Sequence, residues 1–109
     1  MMFLIKRKKL AQSQYSNYCE PEYRQAIDKT EGYLSKDPEI NGATGRPRYK
    51  HLLERDLAGL ISCCVEPPFS SGNRIIYHID YNIAVIVEHS IKGHPNAGDI
   101  LTRIIESNR

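Results

Sequence analysis

Between residues 60 and 89 the apolar residues fall into three short runs, 60–65, 74–79 and 83–89, with connections between them too short to hold a crossover helix. Runs rich in Ile and Val and bounded by Pro, Gly, Asn and Asp are strand signals. Strands joined this closely are antiparallel neighbours. Pro67-Pro68 with Ser70-Ser71-Gly72-Asn73 supplies the first connection, and Asp80-Tyr81-Asn82 supplies a tight second one. The central strand of this meander is residues 74–79. A shorter apolar piece, residues 3–7, adds an edge-like strand.

Ahead of the meander the spacing is helical. Tyr23, Ala26, Ile27, Thr30 and Leu34 recur at intervals of three and four, the period of a helix that buries one face. Pro21 suits its first turn, and Asp37-Pro38 ends it because proline disfavours helical geometry in the residue before it. Asn41-Gly42-Ala43-Thr44-Gly45 reads as a loop. A second, shorter helix is expected from Pro47, with Tyr49, Leu52 and Leu53 as its stripe, basic residues on its other face and Gly59 beyond its end. Helical spacing returns through Ala97, Ile100, Leu101, Ile104 and Ile105, after Asn96 as N-cap. That last stripe must bury against the chain's own sheet or against a partner. The expected fold is α+β: a small antiparallel sheet of three to four strands, two N-terminal helices packed on one face and a short C-terminal helix.

At 109 residues, with no repeat and no linker, the expectation is one domain, 1–109. Hydrophobic residues at 40% and charged residues at 26% exclude a disordered or collagen-like chain. No apolar run approaches the ~20 residues that a spanning helix needs. The N-terminal apolar piece precedes Lys6-Arg7-Lys8-Lys9, the reverse of a secretory signal, so a cytoplasmic address with no membrane association is expected. Cys19, Cys63 and Cys64 are odd in number and two are adjacent, unlike a disulfide framework. In a strand, Cys63 and Cys64 leave on opposite faces and do not share a metal. No metal site and no cofactor are expected.

The net charge of +2 conceals an uneven distribution. Lys6 to Lys9 form one basic cluster, and Arg46, Arg48, Lys50, His51 and Arg55 form a second, while acids concentrate between them. Grouped Lys and Arg are what phosphate binding uses, so the second cluster is a candidate RNA-binding surface. Arg74 begins a strand directly after Gly72-Asn73, where the sheet rim can hold its guanidinium, and Ile76 and His78 share its face. An arginine fixed in this way suits bidentate phosphate contact. His89 closes the third strand, and His94 follows with Lys92 in a loop, pairing a group that titrates near neutrality with a cation.

Leu57-Ala58-Gly59-Leu60-Ile61, then Gly72-Asn73-Arg74-Ile75-Ile76-Tyr77-His78-Ile79-Asp80, then Ile83-Ala84-Val85-Ile86-Val87 resemble the RelE/ParE toxin superfamily over roughly residues 48–95. The resemblance implies the toxin of a toxin–antitoxin pair, in heteromeric complex with a cognate antitoxin. Its RelE-like branch implies metal-independent cleavage of mRNA on the ribosome through attack by the substrate's 2′-hydroxyl. It implies that Arg74 contacts the scissile phosphate and that His94, with Lys92, is the basic group after the last strand. The lysines RelE carries before that arginine have no counterpart, since Cys64-Val65-Glu66-Pro67 occupies the stretch. Ile100 and Leu101 stand near the expected place of its C-terminal tyrosine, while Lys50 and His51 offer a substitute base or phosphate contact. The alternatives are a ParE-like toxin that inhibits DNA gyrase by protein contact, and a partner-binding domain of the same fold without toxicity.

Overall fold

The computed structural model describes residues 2–66 and 72–108, so the part of the first connection assigned to Pro67, Pro68, Ser70 and Ser71 lies outside the described residues. The chain runs β1 (Leu4–Arg7), α1 (Lys9–Asn17), α2 (Pro21–Lys36), β2 (His51–Leu52), a 3-10 turn (Arg55–Leu57), β3 (Ile61–Cys64), β4 (Arg74–Asp80), β5 (Val85–Ser90) and α3 (Gly98–Ser107). The meander forms as its spacing requires, with β4 antiparallel to both β3 and β5. The five strands lie in the order β1-β5-β4-β3-β2. This is one strand more than expected, and the sheet is mixed, because β1 pairs parallel to β5 with Leu4 opposite Val85.

The fold is α+β, and α2 is the helix the sequence specifies. Pro21 occupies its first turn, it stops at Lys36, and it buries Tyr23, Ala26, Ile27, Thr30 and Leu34. These side chains meet Ile61, Cys63, Ile75, Tyr77 and Ile86 from the first sheet face. α3 settles the other open question: Ile104 is wholly buried and packs with Leu57, Leu60 and Ile76 on the second face. The stripe thus packs on the chain's own sheet through Ile104, with Ile100, Leu101 and Ile105 half-buried beside it.

The second N-terminal helix is not the expected one. From residue 48 the chain lies extended along β3, where Arg48 O accepts from Cys64 N at 3.0 Å, His51 stands opposite Ser62 and Leu53 N donates to Leu60 O at 2.8 Å. Tyr49 and Leu52 of the supposed stripe are 69% and 57% exposed. A three-and-four spacing with nothing to pack against loses to the backbone ladder that β3 offers. The true second helix is α1, whose Ala11 is wholly buried in the first core while Leu10 and Tyr15 are half-buried against the two cores. Its buried Gln14 accepts from Ile91 N at 2.8 Å and from Ser90 Oγ at 3.2 Å, so polar contacts help to seat it.

The first basic cluster is also divided. Arg7 turns to the first face, where Nε and Nη2 donate to the two Glu31 oxygens at 2.9 and 2.8 Å and Nε lies 3.7 Å from Glu88. Glu88 is fully buried. Burial and the nearby Glu31 carboxylate raise its pKa well above the usual carboxylate range. Arg7 sets its one positive charge against both acids, partly offsetting the cost of burying Glu88. Arg7→Met is expected to destabilise the fold by about 3 kcal/mol at neutral pH in urea unfolding, since it strands buried carboxylates. The loss should shrink as pH falls and Glu88, whose pKa burial holds above the usual carboxylate range, takes up its proton.

Candidate active site and nucleic-acid interface

Arg74 organises the β2 side of the second face. Alternation along β4 places Arg74, Ile76 and His78 on that face, and the register sets Arg74 opposite Cys64 and Ile76 opposite Ser62. The Arg74 guanidinium donates from Nε to Ser62 Oγ at 2.8 Å and from Nη1 to Cys64 Sγ at 2.9 Å. From Nη2 it reaches Tyr49 O at 2.7 Å, Ser62 O at 3.1 Å and His51 Nδ1 at 3.2 Å. Its accessibility is 9%, so it is not presented freely at the rim as the sequence suggested. Each of these partners is a neutral acceptor or an imidazole. A guanidinium held this way is oriented without a carboxylate opposing its charge.

The second basic cluster separates around this centre. His51, expected on a helix, is exposed on the edge strand β2 with its ring against Arg74. Arg46 and Arg48, 48% and 38% exposed at their side chains, share one carboxylate, the fully buried Glu66, at 3.6 and 3.4 Å. Two guanidiniums against one carboxylate leave a net positive charge there, and the cluster also meets α2, where Glu66 N donates to Thr30 Oγ1 at 2.9 Å and Arg46 lies over the Tyr33 ring. Lys50 departs from its expected role: its side chain is 2% exposed and Nζ donates to Asp37 O at 3.1 Å and Arg46 O at 3.3 Å. Burial lowers its pKa. It braces the loop from within and offers nothing to a polyanion. Arg55 is exposed at the 3-10 turn, beside a cleft shared with Pro95 and Leu101.

His94 and Lys92 follow β5, and neither is among the hydrogen-bond partners of Arg74. His94 is exposed, and its Nδ1 accepts from Asn96 N at 3.2 Å. Lys92 Nζ donates to Tyr18 O. Lys92 lines a cleft of about 460 Å³ between the end of α1 and α3, with Asn73, Asp99 and Arg103. Gly93 packs so tightly on α3, at φ +90°, that a Cβ there would lie 2.5 Å from Ile100 Cδ1.

Two features escaped sequence reasoning. Tyr49 sits at φ +55° with an exposed ring next to the Arg74 network. A tyrosine between two basic residues was its only trace in the sequence. The second is an imidazole pair, His78 Nδ1 to His89 Nε2 at 2.7 Å. It arises because the register shift between Ile76 and Tyr77 leaves His89 unpaired in the ladder. Among the described residues no three His, Cys, Asp or Glu side chains converge as metal ligands. The three cysteines are free and buried, with Cys63 in the first core and Cys64 on Arg74. No described helix is long and apolar enough to cross a membrane.

No protein-family model matches the sequence, and comparison with curated proteins yields no match. Solved structures do match. The RelBE2 toxin–antitoxin complex of Mycobacterium tuberculosis aligns at a TM-score of 0.65 and 20% identity, over 86% of this chain and 100% of that one. A YoeB/ParE toxin from Agrobacterium tumefaciens aligns at 0.66 and 14%, over 84% and 99%. E. coli RelE in the free state aligns at 0.59 and 19%, over 97% of each chain. The chain has the fold of the RelE/ParE toxins, as the resemblance in its meander implied.

Burial, then His78 and Lys8, push the His89 imidazole down to about 4. Between pH 6.5 and 4 the unfolded chain therefore binds a proton that the folded chain refuses, and stability falls with pH across that window. The contribution is about 3 kcal/mol when complete. Glu88 contributes a slope of opposite sign, so the measurement is the difference in urea stability between the wild type and His89→Gln, which should close toward pH 4.

Proposed function

We propose that the protein is a toxin that cleaves RNA by transesterification, on ribosome-bound mRNA, and that an antitoxin protein holds it in check. The observation that carries this reading is the Arg74 guanidinium, fixed by neutral acceptors and lying 3.2 Å from an exposed imidazole. Support for the antitoxin is the likeness to toxins solved as toxin–antitoxin complexes.

Cleavage without a metal needs a base for the 2′-hydroxyl, a cation for the phosphorane and an acid for the leaving 5′-oxygen. With Nδ1–H directed at Tyr49 O, His51 takes the proton of the 2′-hydroxyl on Nε2 as that oxygen attacks the adjacent phosphorus. Arg74 meets the charge gathering on the non-bridging oxygens, using donor capacity that neutral acceptors give up readily. The 5′-oxygen leaves with a proton, which we assign to His94, and a 2′,3′-cyclic phosphate remains. Lys92 adds positive charge in the same loop. Arg46, Arg48 and Arg55 take flanking phosphates, whereas Lys50 is withdrawn from that role by its burial.

Arg74→Lys keeps the charge but loses the fork, and should lower the single-turnover rate on mRNA-programmed ribosomes about 10²- to 10³-fold. His51→Ala should lower it about 10²- to 10⁴-fold. A message carrying a 2′-deoxy residue at the cleaved position should resist, since it has no 2′-hydroxyl to attack the phosphorus. Cleavage of the deoxy message, or inhibition of gyrase supercoiling with transcripts intact by primer extension, would overturn the reading.

A further inference from the structure

We infer that Tyr49 is a stacking platform for an unpaired base beside the phosphate at Arg74, so that the substrate must be single-stranded at the cleaved step. The inference rests on the RNA reading above and deepens it by naming what the site recognises. Three observations carry it. The ring is 69% exposed, among the largest apolar exposures of the described residues. The residue stands at φ +55°, a conformation that a bulky side chain adopts at a cost. Its carbonyl is fixed on both sides, accepting from Arg74 Nη2 at 2.7 Å and lying 3.3 Å from His51 Nδ1.

These facts belong together. An extended backbone at residue 49 would alternate its side chains as in any strand, and the left-handed turn departs from that alternation. The same turn leaves the carbonyl on the guanidinium, so the ring's position is coupled to that of the cation. Arg48, whose guanidinium carbon lies 5.6 Å from the ring centroid, sets a planar cation against the ring, while Arg74 holds the carbonyl of the same residue. An exposed aromatic ring with cations close by is the combination that holds unstacked bases in single-stranded nucleic acid. A paired base is already stacked and cannot use it.

The left-handed backbone also supplies the test. Glycine is at ease at φ +55°, so Tyr49→Gly should fold with an unchanged or raised Tm while removing the platform. The probe is a single-stranded RNA carrying 2-aminopurine next to a 2′-deoxy residue at the cleaved position. Wild type and Tyr49→Phe should bind it and quench its fluorescence. Tyr49→Gly should bind about 5- to 150-fold more weakly, the range for loss of one stacked base. On programmed ribosomes the same variant should raise KM more than it lowers kcat. Removing the base from the probe should weaken wild type by a similar factor and leave Tyr49→Gly indifferent.

A folded Tyr49→Gly protein that binds and quenches as wild type does would overturn the platform, even with cleavage intact and dependent on Arg74. Base-dependent quenching by a wild-type protein that cuts no message would uphold the platform and remove the nuclease.

Discussion

A buried guanidinium with no acid beside it is a demanding thing to place, and the β2–β3–β4 half of the sheet is arranged around one. Arg74 sits opposite Cys64, takes the hydroxyl and carbonyl of Ser62 and reaches the carbonyl of Tyr49. These groups belong to β3 and to the chain leading into β2. A slip of one residue between β3 and β4 would turn the side chain to the other face and leave a charge without acceptors among apolar residues. The register is thereby pinned by polarity as well as by core packing. Because Tyr49 and His51 are bound into the same network, their places are fixed by the same condition.

The two faces of the sheet divide the work. On the first, α2 covers an apolar core beside which an ionic group, Arg7 with Glu31 and Glu88, joins β1, α2 and β5. On the second, α3 covers Ile76 and Leu60, while Lys8 Nζ holds the Ser107 carbonyl at 2.6 Å. A cation at the end of a helix favours its negative pole. From the buried Arg74 the network runs out to His51, which is exposed on the edge strand β2.

What could be read from the sequence was whatever left a period. The three strands of the meander alternate or run apolar between turn residues, and α2 and α3 carry stripes that fill a face, so their positions and packing followed. α1 left a weaker mark because its inward face mixes Leu10, Ala11 and Tyr15 with the polar Gln14. Residues 48–53 misled in the opposite way: Tyr49, Leu52 and Leu53 fall on a helical stripe by coincidence, and only the ladder to β3 reveals the extended path. Charge was harder still. Lys50, Arg7 and Arg48 look alike in a sequence, yet one is sealed inside the loop, one is locked between acids and one half-faces water. Composition marks where cations gather but not which way each turns. For Arg74 the alternation of its strand gave the face, shared with Ile76, but not its burial among Ser62, Cys64 and Tyr49 O. Tyr49 was not legible, since its prominence comes from the handedness of a single residue.

The parallel partnership of β1 and β5 sets an order of events for a chain that emerges from its N-terminus. Leu4 must wait for Val85, and Arg7 for Glu88, so the earliest strand stays unpartnered until almost all the rest has been synthesised. Bridging so long an interval is entropically slow, whereas β3, β4 and their turn lie close along the chain. A nascent chain can thus set Arg74 among its acceptors well before the sheet acquires its far border. Closure of the molecule belongs to the last strand and helix made.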